Sequence, residues 1–395
     1  MIRTLKAFDL KGKSILMRVD FNVPLDGERV SNNFRIKSAL PTINTCLEAG
    51  AAVVLMSHLG RPNGEPDSEL SMIPVGEELA ELLEMPIKFS DDCVSNDAID
   101  TSLSLKSGEI HLLENLRFHS GEKSNEHGFA SRLARHGQIY INEAFGTAHR
   151  AHASNVGVAT HFKHRGIGWL MDKEINYLDK VLRNPRRPLT LVLGGAKISG
   201  KLELIENFIS KADHIIIGGG MAFTFLKVKG KEVGGSLVDE TMIPTAKAIL
   251  NRAMNASVKL HLPEDVICGE SLSDTNPKGP FSIKEIPNHL MGLDIGPETI
   301  QKFNQILGES QTVVWNGPMG VFEVNGYQHG TESMGIHLAN CVEEGAKVIV
   351  GGGDTSAATE KFGLSKMMSH VSTGGGASLE LLSGNALPAL KVLEN

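Results

Sequence analysis

Short runs of consecutive apolar residues recur along the first half of the chain at 15–17, 53–56, 110–113 and 139–141, with a weaker one at 87–89. Between several of them the spacing becomes that of an amphipathic helix, as at 38–49, which Gly50 closes, and at 75–84. The second half repeats the style at 189–193, 215–217, 258–262, 313–315, 348–350 and 370–372. Continuous apolar runs suit strands buried on both faces, so the pattern predicts parallel sheets covered by helices on either side. Residues 171–188 differ: an amphipathic stretch stopped by Pro185 and Pro188 predicts a helix between the two halves. The expected fold class is α/β, with two doubly wound, Rossmann-like parallel-sheet domains joined by a helical connector and hinge. The boundaries read as 1–170, a connector at 171–185, and 186–383.

A length of 395 residues suits two cores better than one. A net charge of −7 argues against a nucleic-acid partner. The cysteines Cys46, Cys93, Cys268 and Cys341 form no CxxC pair and have no His-rich neighbour. That suits reduced cytosolic thiols, not a disulfide framework or a zinc site. No segment reaches membrane-spanning length, and the first twenty residues lack the apolar core of a signal peptide. The expected location is the cytoplasm, without a membrane partner.

The second half carries glycine turns after its apolar runs. In VIVGGGDTSAATEKFG, residues 348–363, a strand stub enters three glycines, an acid and a hydroxyl, then a helix-forming segment. Glycine lets a backbone approach a ligand, and a helix start offers free N–H groups and partial positive charge. Asp354 stands where it can bind a cation accompanying a phosphate. One such turn can be a mere tight connection. Four more, at 192–197, 216–220, 315–320 and 372–376, indicate a site. The stretch from Gly195 to Leu202 nearly satisfies the P-loop pattern, but Leu202 replaces the hydroxyl residue that would ligate magnesium. Lys197 and Lys201 remain phosphate candidates, because cations at a helix start oppose its dipole unless an anion is present. No turn completes GxGxxG. Glu323 is a candidate for a ribose hydroxyl and equally an ordinary surface acid.

The first half carries polar and cationic residues where its strands end. They are Arg18, Asp20 and Asn22, then His58 and Arg61, then Arg117, then Arg150, with Arg35 at the start of the first helix. A single arginine is usually a solvated surface residue. Several at one edge of one sheet imply a small, multiply anionic ligand, since guanidinium reads carboxylate and phosphate in a planar, bidentate way. His149 and His152 flank Arg150 and are expected to hydrogen-bond within the cluster.

RVDFNVP, SHLGRP, LENLRFH, AFGTAHRAH, LGGAK, WNGPMGVFE, GGGDT and STGGGASLELL follow one another from Arg18 to about Leu382. In this the chain resembles the phosphoglycerate kinase family over nearly its whole length. The resemblance implies a kinase moving a phosphoryl group between 1,3-bisphosphoglycerate and ADP, giving 3-phosphoglycerate and MgATP. Carried over motif by motif, Asp20, Phe21, Asn22, Arg35, His58, Leu59, Gly60, Arg61, Arg117 and Arg150 would hold the glycerate ligand. Lys201, Glu323, Gly352, Gly353, Asp354 and Thr355 would hold ADP or ATP, with Asp354 on its Mg2+. Arg35, Lys197, Lys201 and the Gly375 amide would act at the transferring group. The resemblance further implies a tail, about 384–395, returning to the first domain. Because the cationic cluster and the glycine turns lie on separate domains, closure is expected about the ends of 171–183 and the return near 372–376, in a monomer. Glu143 stands where the family commonly has Asp, an expected tolerated change. Gly200 replaces a larger residue, and Ser383 and Asn385 interrupt a common Glu-Gly-Lys run.

Two other readings compete: a different ATP-dependent enzyme for a small phosphorylated acid, and a non-catalytic nucleotide-binding or scaffold protein whose chemistry has decayed. The joint presence of Arg35, Lys197, Lys201 and Asp354 speaks against decay.

Overall fold

The apolar runs of the first half pair side by side. In the computed structural model, which describes residues 2–394, six strands make one sheet. They are β1 (Ser14–Arg18), β2 (Ala52–Met56), β3 (Lys88–Ser90), β4 (Ile110–Leu113), β5 (Ile139–Asn142) and β6 (Arg165–Ile167). The order is β3-β4-β2-β1-β5-β6, and every pairing is parallel. Ile15 lies level with Val53 on one side and Ile139 on the other. All five residues of β2 are buried, as a strand covered on both faces requires. Alternate residues Ile15, Met17, Val53 and Leu55 join a core with Ile36, Ala39 and Ile43 of helix α1 (Phe34–Glu48). Each of the Ile, Met, Val and Leu side chains among them contributes about 1.5–3 kcal/mol by leaving water. Helix α1 begins four residues before the predicted start, and Asn32 accepts the Phe34 N–H at 2.9 Å. Helix α2 (Ile73–Leu83) begins two residues before the predicted stretch and ends one before its close, where Glu84 turns left-handed. Strand β6 was not anticipated, because RGI is too short to carry a pattern.

In the second half β7 (Leu189–Leu193), β8 (His214–Ile217) and β9 (Lys259–His261) come first. Three strands that the pattern did not predict follow: β10 (Asp265–Gly269), β11 (Lys278–Ser282) and β12 (Met291–Ile295). Then come β13 (Thr312–Asn316), β14 (Lys347–Gly351) and β15 (His370–Val371). The main sheet runs β9-β8-β7-β13-β14-β15, all parallel. This is the doubly wound order whose ligand crevice opens where the direction of strand addition reverses, between β7 and β13. The inserted strands form a separate antiparallel sheet, β11-β10-β12. Pro280 in β11 lacks a ladder N–H and argues against a strand from sequence; on this edge strand it is tolerated.

The chain divides into two compact units. The first runs to Asn176 and includes the chain from Ala386; the second is Tyr177–Asn385. The division falls inside helix α3 (Trp169–Arg183), the predicted connector, which ends just before Pro185. In the returning tail Leu387, Ala389 and Leu393 are buried, and the Ala389 N–H donates to Ala148 O at 3.1 Å.

Candidate active site

At the carboxyl edge of the first sheet the chain leaves β1, β2, β4 and β5 into loops that carry the predicted cations. Arg18, the last residue of β1, is completely buried. Its guanidinium donates to Ser154 Oγ at 2.7 Å, to Val19 O, and to His58 Nδ1 at 3.1 Å. A guanidinium can only donate, so His58 Nδ1 accepts and the ring's Nε2–H is left as its donor. Burial, then the charges of Arg18, Arg117, Arg35 and Arg150, hold the His58 pKa well below the ordinary histidine value. His58 is therefore neutral at physiological pH, and its 3.9 Å approach to Asp20 is no ion pair.

Arg35, in the first turn of α1, donates through Nη1 to Asp20 Oδ2 and to Asn22 O, both at 3.1 Å. Asp20 Oδ1 is buried without a partner, and so is Arg117 Nε. Asn22 Oδ1 accepts the Gly60 N–H at 2.8 Å, and Arg117 donates to Gly60 O at 2.5 Å. Gly60 must be glycine: its φ is +60°, and a Cβ would lie 2.5 Å from Leu70 Cδ2. Burial, then Arg150 and Arg18, lower the Arg117 pKa to about 10. Cations packed against cations, with a donor and an acceptor unmet, make a site incomplete without an anion that also carries a hydroxyl.

Phe21 and Leu59 turn their side chains into the core. Their amides are taken by Ser57 Oγ and Asn115 Oδ1, so they frame the loops. Arg61 and Arg150 are exposed. Arg150 donates to His149 Nε2 at 3.2 Å, as expected of that histidine, while burial and the arginines push His152 down to about 4. Glu122 escaped the sequence reading. Fully buried, it accepts from Ser154 N and Oγ and so fixes the hydroxyl that orients Arg18. No motif signals it.

In the second unit the turns after β7, β8 and β13 interlock. Gly194 N donates to Asn316 O at 3.0 Å, Gly195 N to Pro318 O at 2.8 Å, and Gly219 N to Met319 O at 3.1 Å. A Cβ on Gly194 would sit 1.9 Å from Pro318 O, so only glycine permits the crossing. Lys201 caps the start of helix α4 (Leu202–Ile209), and its ammonium turns back onto Gly194 O and Asn316 O. Two carbonyls therefore answer the charge that the sequence reading assigned to an anion alone. Burial lowers the Lys201 pKa to about 8, and Asp354 opposes that shift. Lys197 is exposed.

Beyond β14, Gly352 has φ +91° and opens helix α5 (Gly353–Lys361), with Asp354 exposed in its first turn. Thr355 Oγ1 accepts the Gly317 N–H at 2.6 Å, tying this loop to the turn after β13. Asn316 Nδ2, beside Gly352, is buried without a partner. Asp354, Glu323 and the turn residues Gly195, Gly219 and Pro318 line a cavity of about 240 Å³. Its far wall is apolar, from Phe223, Leu237, Leu272, Met291, Leu293 and Val321. Much of that wall comes from or beside the inserted sheet. Gly375 (φ +46°) caps the short helix α6 (Gly376–Leu382) after β15. The donor set suits a hard divalent cation shared with phosphates: one exposed carboxylate, the remaining ligands left to phosphate oxygens and water.

The sequence profile of the phosphoglycerate kinase family matches residues 5–385. Phosphoglycerate kinase of Chlorobium phaeovibrioides is 47% identical over 395 residues, covering 100% of this chain and 99% of the relative. That of Thermosynechococcus vestitus is 46% identical over 395 residues, covering 100% and 98%. The phosphoglycerate kinase structure from Coxiella burnetii superposes with a TM-score of 0.90 at 38% identity, covering 100% of this chain and 99% of that one. The structure from Pyrococcus horikoshii gives 0.80 at 30%, covering 100% and 98%. With both sheet edges built as described and similarity of this extent, the chain belongs to the phosphoglycerate kinase family, phosphotransferases of glycolysis.

Proposed function

We propose that the chain moves a phosphoryl group reversibly between 1,3-bisphosphoglycerate and ADP, giving 3-phosphoglycerate and MgATP. The observation that supports this reading best is the division of chemistry. One unit offers guanidinium groups with an unmet donor and acceptor; the other offers glycine turns beside an apolar slot. The first suits a small anion with a hydroxyl, the second a planar base with phosphates. In this reading residues 1–170 with the tail hold the glycerate ligand, 186–383 hold the nucleotide, and 171–185 connect them.

An ADP phosphate oxygen attacks the acyl phosphate, the P–O bond to the carboxyl breaks, and a carboxylate leaves. Neither group needs a proton moved, which fits a neutral His58 that donates but does not act as a base. What the step needs is in-line placement and positive charge around the equatorial oxygens. Arg35, Lys197, Lys201 and the Gly375 amide supply it, and Asp20, Asn22, Arg117 and Arg150 orient the glycerate. Asp354 would hold Mg2+, which when bound offsets phosphate charge. Closure about the connector would bring the two ligands together and exclude water. The enzyme is read as a cytoplasmic monomer with small-molecule partners.

A coupled assay tests this directly. ADP-dependent consumption of 1,3-bisphosphoglycerate with ATP formed one for one is expected. Turnover of another phosphorylated acid in its place, or nucleotide binding without turnover, would overturn it.

A further inference from the structure

Connecting helix α3 starts on a buried carboxyl group that the mechanism above does not use. Glu143 follows β5 directly and is fully buried. Its side chain accepts the Leu170 N–H at 2.8 Å and the Met171 N–H at 3.2 Å, both in the first turn of α3. It also accepts from the Thr42 hydroxyl of α1. Thr42 accepts the Trp169 N–H at 2.9 Å in turn, and Trp169 Nε1 donates to Thr45 at 3.1 Å. Gly168 makes the approach possible, since a Cβ there would lie 2.2 Å from Glu143 Oε2.

Glu143 has three donors and no cationic partner among the described residues. The titratable groups facing it are Asp172 of α3, whose charge opposes a second negative one, and Cys46 of α1, a thiol that burial and Glu143 push up to about 12 and so keep neutral. Burial pushes its pKa up to about 7, against the pull of Thr42, Leu170 and Met171. A carboxyl with a raised folded-state pKa contributes stability below its unfolded value of 4.5 and loses it as pH rises through about 7. At pH 8 the ionised group therefore lowers stability. Its geometry, however, is that of a clamp: two N–H groups at a helix start, which favour an anion. The clamp lies in the first unit, while the helix it holds continues past Asn176 into the second.

We propose that Glu143 is a positioning residue for phosphoryl transfer: its carboxylate fixes the first turn of the connecting helix, so that closure turns about a defined point beyond it. The inference rests on the hinge reading given above. Leu170 and Met171 can only donate, so protonation weakens their hold on the carboxyl even where the Thr42 hydroxyl turns to accept its O–H.

The test compares wild type with Glu143→Gln and Glu143→Asp. It measures kcat and KM from about pH 6 to about pH 9, thermal midpoints, Kd for ADP and 3-phosphoglycerate each alone, and radius of gyration with both ligands. Wild-type kcat is expected to fall as pH drops through about 7. Glu143→Gln is expected to lose that limb and run about tenfold slower at pH 8. Its binary Kd values should be unchanged and its thermal midpoint no lower. Glu143→Asp is expected to recover turnover and the limb. Equal turnover and equal pH dependence in wild type and Glu143→Gln would overturn the proposal. So would a loss of turnover that only tracks a lower midpoint or weaker binary binding. If wild type fails to contract, the hinge reading fails; if wild type and Glu143→Gln contract and turn over alike, only the role of Glu143 fails.

Discussion

Arg35 occupies a different position from the other cations of its edge. Only its Nη1 is engaged among the described residues, by Asp20 and Asn22, and its side chain is 34% exposed. Its remaining donors are available to a group that gains charge during transfer. Arg35→Ala is expected to lower kcat by about 10²-fold and raise KM by much less, as for a contact made mainly in the transition state. A rise in KM with kcat held would make it a binding residue only. Asp354→Asn is expected to lower turnover and change its magnesium dependence. Its thermal midpoint should barely move, because a carboxylate in a first helical turn is worth only about 0.3–1 kcal/mol. Unchanged magnesium dependence would remove Asp354 from the site. A third residue-scale consequence lies in the core of the first unit. His136 Nε2 donates to Cys93 O, so Ser102 must donate to His136 Nδ1, His111 Nδ1 to Ser102, and Ser90 to His111 Nε2. Burial depresses both histidines to about 4. Depressed histidines stabilise the fold fully above their unfolded value of 6.5 and lose that contribution as pH falls toward 4, on the order of 3 kcal/mol each. Denaturant unfolding at pH 7 and at pH 4.5 should show that loss, and equal stability at both would contradict it. The cationic residues of the edge were readable from sequence because each follows an apolar run. Glu122 and this histidine chain were not, because their partners come from separate segments that only folding brings together.

The strands of both parallel sheets, short β6 excepted, were legible because a strand buried on two faces is largely apolar, and Leu189–Leu193 and Ile110–Leu113 are near-continuous runs. The inserted sheet was not. Its edge strand contains Pro280, and Met291–Ile295 includes Gly292 and Asp294. With it went the apolar wall of the cavity beside Glu323 and Asp354. The glycine turns, by contrast, stand out in the sequence, and their packing yields a paired prediction. Gly194→Ala drives a Cβ into Pro318 O and is expected to destabilise by roughly 1–3 kcal/mol or more, and to weaken ADP binding. Gly200→Ala meets nothing within 4 Å and is expected to stabilise by roughly 0.4–1 kcal/mol with ADP affinity retained. Denaturant unfolding and calorimetry on the two variants check this; similar losses from both would contradict the packing account.

At the scale of the molecule, composition and spacing indicated two α/β halves, and the structure divides in two with sheets of different order. Helix α3 was readable because Pro185 and Pro188 stop an amphipathic pattern. Its buried anchor was not, since a lone glutamate after a strand carries no pattern. In the proposed function each unit takes one substrate and transfer requires the two to close, because reacting atoms must come within roughly 3–3.5 Å in a site free of water. Small-angle scattering on the free protein, on each binary complex and on the complex with both ligands tests this most directly. The radius of gyration is expected to fall slightly with 3-phosphoglycerate or nucleotide alone and most with both together. A radius that stays the same in all four states would contradict the claim.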